Sequence, residues 1–260
     1  MHLRRVVIVL AASCLALAGL PSISSAAPVV TSHLTVRVQA NAAKWVSSEV
    51  GGATVVIKDA STGQVLRSGR VVGTSGETTA IMNDPRTPLE PTPTLDEAAS
   101  VTFSFGFSRP RRLLVEAYGP LVGPTPVSQT SAQVWIVPGD DQNLAVTLHG
   151  LIVTVLSPAP HTLAISTGPV QMGITASVQM LCGCPVSTTT PWTPDLYRVR
   201  ALIRAPGAAG QAVTLAYQST DTFIGSVTFP GPGMYDVIVV ADMPGSGNTG
   251  SSSTSVVIAP

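Results

Sequence analysis

Apolar and polar residues alternate with a period of two along most of the chain after residue 26. Such alternation, in short runs rich in Val, Thr and Ile, predicts β-strands with one buried face. We find no long segment with apolar positions at helical spacing in the same region. The pattern therefore predicts an all-β fold of short strands, separated by turns that contain Gly and Pro.

Seven strands are predicted in the first part of the chain. They cover residues 34–38, 53–59, 65–71, 101–107, 113–118, 132–137 and 144–148, and residues 60–63 form a hairpin turn between the second and third strands. Residues 83–97 contain four prolines and lack apolar periodicity. This segment is predicted to be an extended loop of polyproline type.

Seven further strands are predicted in the second part. They cover residues 151–156, 170–181, 196–204, 212–218, 222–229, 235–242 and 253–258. Turns rich in Pro and Gly, at 205–207, 230–233 and 244–247, separate several of them. The length and the strand count suit two tandem β-sandwich domains, 27–150 and 151–260, joined stiffly near His149 and Gly150.

The N-terminus has the pattern of a cleaved signal peptide. Arg4 and Arg5 precede an apolar run over 6–20, and Ser24 and Ala26 supply the small residues that a signal peptidase requires. Residues 1–26 are therefore predicted to be removed, which places the mature protein in the periplasm or outside the cell, without a transmembrane segment. Residues 10–14 also resemble a lipobox, so a lipoprotein acylated on Cys14 is the alternative.

Charge excludes one class of partner. Removal of Arg4 and Arg5 leaves 12 basic and 14 acidic residues. Binding to nucleic acid depends on a concentrated basic surface. The balance therefore argues against a nucleic-acid partner.

Two short stretches carry resemblances to known families. IVTVLSP, PGPGMYDVIVVADMPGSGNTG and the final VVI resemble bacterial immunoglobulin-like (Ig-like) modules, over about residues 151–260. This resemblance implies an Ig-like sandwich in which Tyr235 forms a tyrosine corner. GGATVVIKDASTGQVLRSG is similar to the opening of carboxypeptidase-regulatory-like, or prealbumin-like, domains, which implies a small sandwich interrupted here by the loop 83–97.

The cysteines of the mature chain, Cys182 and Cys184, lie beside Met180 at the end of a predicted strand. Alternation places these three residues on the apolar face, so the sulfurs point toward the core. One interpretation is a disulfide or two buried thiols, with Gly183 bending the chain. A second is a soft-metal site for Cu(I), since thiolates and a thioether suit that ion; a third is disulfide exchange with a partner.

Two other motifs have simpler interpretations. Residues 245–250 match the glycine spacing of a dinucleotide-binding loop, but a Ser/Thr-rich strand follows where that site requires a helix. Arg198, Arg200 and Arg204 share one strand phase and are predicted to line a solvated sheet face. Trp192, in the loop after the cysteines, is predicted to cap the sandwich or to shield the sulfurs.

The inventory does not predict an enzyme. The mature histidines, His33, His149 and His161, are far apart in sequence, and no nucleophile motif is present. We therefore predict an exported binding or structural protein without a cofactor, whose partner is another exported protein or a cell-surface component. The alternatives are a copper-binding protein that uses Met180, Cys182 and Cys184, and an accessory subunit of an exported enzyme complex.

Overall fold

The computed structural model describes residues 27–87, 89–94, 97–121, 127–205 and 210–260. The predicted signal peptide lies outside these residues. Strands account for nearly all of the regular structure, which confirms the all-β prediction. In the part of the chain that the structure describes, helical geometry is confined to short turns, the longest of which is a π-helical turn at Thr79–Asn83. Within the described residues, no helix is long and apolar enough to cross a membrane.

Seven strands from the first part of the chain form two sheets. They are β1 (Val30–Ala40), β2 (Thr54–Asp59), β3 (Val65–Arg70), β4 (Val101–Phe107), β5 (Arg111–Gly119), β6 (Ser128–Ile136) and β7 (Gln142–Leu148). One sheet has the order β4-β1-β7, with β1 and β7 parallel, and the other has the order β3-β2-β5-β6. The apolar faces of the strands point inward, as in β1, where every second residue from Ser32 to Ala40 is buried.

Nine strands from the second part form two more sheets. They are β8 (Leu151–Ser157), β9 (Thr162–Ile165), β10 (Val170–Met180), β11 (Arg198–Arg204), β12 (Gln211–Thr214), β13 (Ala216–Ser219), β14 (Thr222–Phe229), β15 (Gly233–Met243) and β16 (Asn248–Ala259). Their orders are β13-β14-β10-β8 and β12-β11-β15-β16-β9. The first corresponds to strands D-E-B-A of an immunoglobulin fold, and β11-β15-β16 to strands C-F-G. The strand order therefore confirms the Ig-like expectation.

Two strand predictions in this part were wrong. The run 212–218 was predicted as one strand, but the chain crosses between sheets at buried Leu215, so that β12 pairs with β11 and β13 pairs with β14. Alternation continues through the crossing and no turn residue marks it, which is why the pattern conceals it. Strand β9 was missed because it has only four residues; its Leu163 and Ile165 are exposed, whereas an alternating pattern predicts that they are buried.

The predicted tyrosine corner is confirmed. Tyr235 is buried at the start of β15, and its hydroxyl donates a hydrogen bond to the Gly231 carbonyl oxygen at 2.9 Å. Its ring packs edge-on against Phe229, with 4.9 Å between the ring centroids. Tyr235 thus joins the ends of β14 and β15 and has a structural role.

The Pro-rich loop lies over the sheet that contains β1. Of the predicted loop 83–97, Asn83 belongs to the π-helical turn Thr79–Asn83, and the other residues that the structure describes form no helix or strand. The buried Trp45 indole donates to the Pro93 carbonyl at 3.2 Å, and Thr92 bonds Gln39. A cavity of about 420 Å³ remains between the loop, Arg37 and β7. These contacts give the loop a fixed place on the sandwich.

Candidate functional site at the junction of the two sandwiches

The cysteines lie in a tight turn that begins where β10 ends. Gly183 N–H donates to the Met180 carbonyl at 2.9 Å, and Met180 N–H donates to the Cys184 carbonyl at 3.1 Å. Gly183 has a φ of 80°, a conformation that glycine adopts without the steric cost of a Cβ. The strand therefore does not continue to residue 184. The bend at Gly183 that the sequence suggested is present.

The two cysteine sulfurs are at disulfide distance. The S–S separation is 2.05 Å and the Cα atoms are 5.3 Å apart. Both residues are buried, with exposures of 1% for Cys182 and 4% for Cys184, and Met180 is also buried. In this oxidised state neither sulfur is a free thiolate. The soft-metal site on Met180, Cys182 and Cys184 stays a prediction, which would require the reduced pair.

Met180 has a specific partner inside the second sandwich. The Tyr197 hydroxyl donates to the Met180 sulfur at 2.9 Å. Burial, together with the charge of Asp221, raises the pKa of Tyr197 well above its usual range, and the protonated hydroxyl is the donor in this bond. Met180 ends β10 and Tyr197 directly precedes β11, which belongs to the other sheet. This hydrogen bond therefore connects the two sheets of the second sandwich next to the cysteine turn.

Asp221 holds the segment after the cysteines. Its carboxylate accepts hydrogen bonds from the Val186 main-chain N–H and from the Gln179 side-chain amide, each at 2.7 Å. Its main-chain N–H donates to the Val186 carbonyl at 2.9 Å. The turn is thus fixed on both sides, by the end of β10 and by the hairpin between β13 and β14.

The outer side of this turn packs against the first sandwich. A Cβ added to Gly183 would lie 2.7 Å from Val50 Cγ1, so the two halves are in close contact at this point. Trp192, which is 3% exposed, donates its indole N–H to the Ala42 carbonyl at 2.9 Å. Trp192 therefore contacts the first sandwich directly, and its predicted shielding of the sulfurs stays a prediction.

A second group of contacts involves two asparagine side chains. Asn41 Nδ2 donates to Ser246 O at 2.7 Å, and Asn248 Nδ2 donates to Asn41 O at 3.0 Å. Asn248 is fully buried, and its Oδ1 also accepts the Gly150 N–H at 3.1 Å. Asn248 thus satisfies polar groups from the first sandwich, from the connecting residues and from its own loop.

Apolar packing continues through the junction. The buried apolar residues form one connected cluster that includes Val50 and Leu148 of the first sandwich and Leu151 and Leu181 of the second. A cleft of about 400 Å³ opens beside the cysteine turn, with Lys44 and Glu49 on one wall and the segment 182–192 on the other. The predicted stiff junction thus agrees with the contacts, and the division into two folding units stays a prediction.

Other predicted features have ordinary structural roles. Residues 244–247 form the turn between β15 and β16, which agrees with the loop interpretation. Arg198 and Arg200 lie on an exposed sheet face, as predicted, and both pair with Asp242 on β15, at 2.6 Å and 3.3 Å. Arg204 is also exposed on this face. The stripe is therefore partly neutralised.

Sequence reasoning missed the residues of the first sandwich that complete this junction. Asn41, Ala42 and Val50 lie in and after the turn that follows β1, and their sequence carries no motif. Asn248 gave a weak indication of a specific role, because its amide side chain interrupts a run of Gly and Ser in the turn. Its partner in the first sandwich, Asn41, is more than 200 positions away, at a distance that a linear pattern does not reveal.

Comparison with known proteins gives similarity at low identity. No protein-family model matches the chain, and no curated protein is detectably similar to it. A DUF3823 family protein from Parabacteroides merdae is 12% identical, with 88% of this chain and 99% of that chain covered and a TM-score of 0.27. The fibronectin(III)-like modules of Clostridium thermocellum CbhA are 11% identical, with 85% and 88% covered and a TM-score of 0.28.

Titin domain M7 is 15% identical to this chain, covering 42% of it and 94% of the titin domain, with a TM-score of 0.23. TM-scores of this size carry no argument about function. The fold class therefore rests on the strand orders and on the tyrosine corner described above.

Proposed function

We propose that the chain is an exported, non-enzymatic interaction protein that holds two β-sandwiches in one fixed arrangement. The observation that carries this proposal is the continuous junction formed by Trp192, Gly183 and Asn248 against the first sandwich. Junctions between independently moving domains are usually more polar and less closely packed. A closely packed junction suits a protein that presents surfaces at a set distance and angle.

The positions of the histidines support a non-enzymatic role. His33 Nδ1 lies 3.0 Å from Ser104 Oγ, which resembles a nucleophile and base pair. However, the Asp141 carboxylate accepts from the His33 main-chain N–H, so it does not orient the imidazole ring. His149 lies at the junction, and His161 precedes β9. This arrangement favours binding over acid–base catalysis.

The proposed location rests on two independent features. Residues 1–26 have the pattern of a signal peptide, and a cysteine pair at disulfide distance suits an oxidising compartment. In that setting the partner would be another exported protein or a component of the cell surface.

Backbone ¹⁵N relaxation of the chain 27–260 tests the fixed arrangement. Amides of β1–β7 and of β8–β16 should report the same rotational correlation time, because the two sandwiches would tumble together. The doubly substituted variant Trp192→Phe/Asn248→Ala should separate the two values. Two different correlation times in the unsubstituted protein would overturn the proposal.

A further inference from the structure

Another cavity lies away from the junction, beside the connection that crosses from β4 in one sheet to β5 in the other. It has a volume of about 480 Å³ and is lined by three arginines, Pro110, Trp135 and the turn that contains Asp59 and Ser61. The arginines come from one short segment, Arg109, Arg111 and Arg112. The lining therefore carries three positive charges and one negative charge.

Arg111 is a fixed cation at this cavity. Its Nη1 donates to Asp59 Oδ2 at 2.9 Å, and its guanidinium carbon lies 5.4 Å from the centre of the Phe107 ring. Asp59 also accepts hydrogen bonds from the Ser61 hydroxyl and from the Ser61 main-chain N–H. The two bonds from Ser61, together with the bond from Arg111, hold the pKa of Asp59 well below its usual range. The acceptor atoms of Asp59 are thus occupied by its own turn and by Arg111.

The other two arginines have no carboxylate partner in the described part of the chain. Arg112 lies over Trp135, with 6.0 Å between its guanidinium carbon and the ring centroid, and Arg109 is exposed in the connection between β4 and β5. A guanidinium presents a planar set of donors that matches a carboxylate in two parallel hydrogen bonds. Two such groups border the same cavity.

Trp135 supplies a flat apolar surface beside these cations. It is 59% exposed, whereas Trp45 and Trp192 are 1% and 3% exposed, so Trp135 is the one indole of this chain that faces solvent. Aromatic rings with exposed faces next to polar groups are typical of binding surfaces. A pyranose ring has an apolar C–H face of similar width, and a carboxylate on that ring would lie at its edge, toward the arginines.

We propose that this pocket binds an acidic sugar residue, a pyranose that carries a carboxylate, within a polysaccharide. Trp135 would pack against the sugar ring, and Arg109 and Arg112 would bind the carboxylate, while Arg111 remains paired with Asp59. A neutral sugar would leave both guanidinium groups without an anion. An inorganic anion would leave the indole in water. This inference rests on the proposed role as an interaction protein and names the class of partner.

Isothermal titration calorimetry of the chain 27–260 tests this assignment with trigalacturonate as the probe. Galactotriose, its neutral counterpart, and sodium sulfate at matched ionic strength are the comparison ligands. We expect a Kd of about 1 mM or tighter for trigalacturonate and weaker binding for both others. Arg112→Gln and Arg109→Gln should each weaken binding by about tenfold, as loss of a charge-assisted hydrogen bond predicts.

Arg204→Gln is the matched control, because it removes the same charge from an exposed arginine on β11. It should change the trigalacturonate Kd by less than about twofold. A single-stranded oligonucleotide is titrated as a further comparison. The acidic-sugar assignment would be overturned by equal affinity for sulfate or for galactotriose, or by tighter binding of the oligonucleotide. It would also be overturned if titration with trigalacturonate released or absorbed no heat. A single rotational correlation time in the same sample would leave the proposed fixed arrangement standing in every such case.

Discussion

Asn41 and Asn248 bind each other although they lie in different sandwiches. Asn248 Nδ2 donates to the Asn41 main-chain carbonyl at 3.0 Å, and Asn41 Nδ2 lies 3.3 Å from Asn248 Oδ1. Asn248 is fully buried, so its polar atoms cannot bond water instead, whereas Asn41 is half-buried. Breaking the hydrogen bonds of Asn248 leaves several polar groups without partners, so this pair is a sensitive point of the junction.

Asn248→Ala should lower the free energy of unfolding by about 2–3 kcal/mol, since it removes the acceptor for Gly150 N–H and the donor to Asn41 O. Urea unfolding of the chain 27–260 measures the change. Asn143→Ala, at an exposed position on β7, should change stability by less than about 0.5 kcal/mol. Equal effects of the two substitutions would contradict the buried role of Asn248.

Trp192→Phe removes the indole N–H that donates to Ala42 O while it keeps most of the buried ring. We expect a loss of about 1–2 kcal/mol from the unsatisfied carbonyl and the smaller side chain. Trp135→Phe, in which the replaced indole is exposed, should cost less than about 0.5 kcal/mol. Thermal unfolding of both variants makes the comparison, and a larger loss for Trp135→Phe would be inconsistent with the structure.

The cysteine pair should add little stability. A disulfide between residues two positions apart constrains the unfolded chain only slightly, so reduction should lower the free energy of unfolding by less than about 2 kcal/mol.

Thiol counting on protein purified from its native compartment should find no reactive thiol, and metal analysis should find no stoichiometric copper. Copper that is lost in Cys182→Ser would support the metal-site alternative over this one.

Asp59 should make stability depend on pH in the acid range. Its pKa is lower in the folded state than in the unfolded chain, so its contribution is present above about pH 4 and is lost as the pH falls through the folded-state value. Asp59→Asn should flatten the dependence of stability on pH below about pH 4. Urea titrations of the two proteins at a series of acid pH values measure the difference, and parallel curves would contradict this role of Asp59.

Most strands could be predicted from the sequence, because the alternation that marks a strand is visible in a short run of neighbouring residues. Period-two alternation located β1–β8, and a Pro/Gly turn followed by Tyr235 indicated the corner before β15. The crossing at Leu215 was not predictable, since the side chain is buried on either course of the chain. Alternation tells which residues are buried, but it does not tell which sheet buries them.

In the candidate site, the features that depend on neighbouring residues could be predicted, and the contacts between distant residues could not. Met180, Cys182 and Cys184 lie in the interior as predicted, and Gly183 indicated the bend. The reason differs for the cysteines, because β10 ends at Met180 and the turn that follows buries Leu181 as well. The partners across the junction could not be found, because Val50 and Ala42 are more than 130 positions away and carry no distinctive chemistry. The packing of the cysteine turn against the first sandwich depends on the tertiary structure. This packing changes the interpretation of residues 180–184 from a possible sulfur-based site to part of the junction between the sandwiches.

The cysteine turn packs directly on the first sandwich, and a double-mutant cycle between Gly183 and Val50 tests this contact. Gly183→Ala should destabilise the chain through its φ of 80° and through a Cβ that would lie 2.7 Å from Val50 Cγ1. Val50→Ala removes that neighbour and should relieve part of the cost. We predict that the double variant is more stable than the sum of the single changes by at least about 1 kcal/mol. Additive effects, within about 0.5 kcal/mol, would contradict the contact and with it the fixed junction.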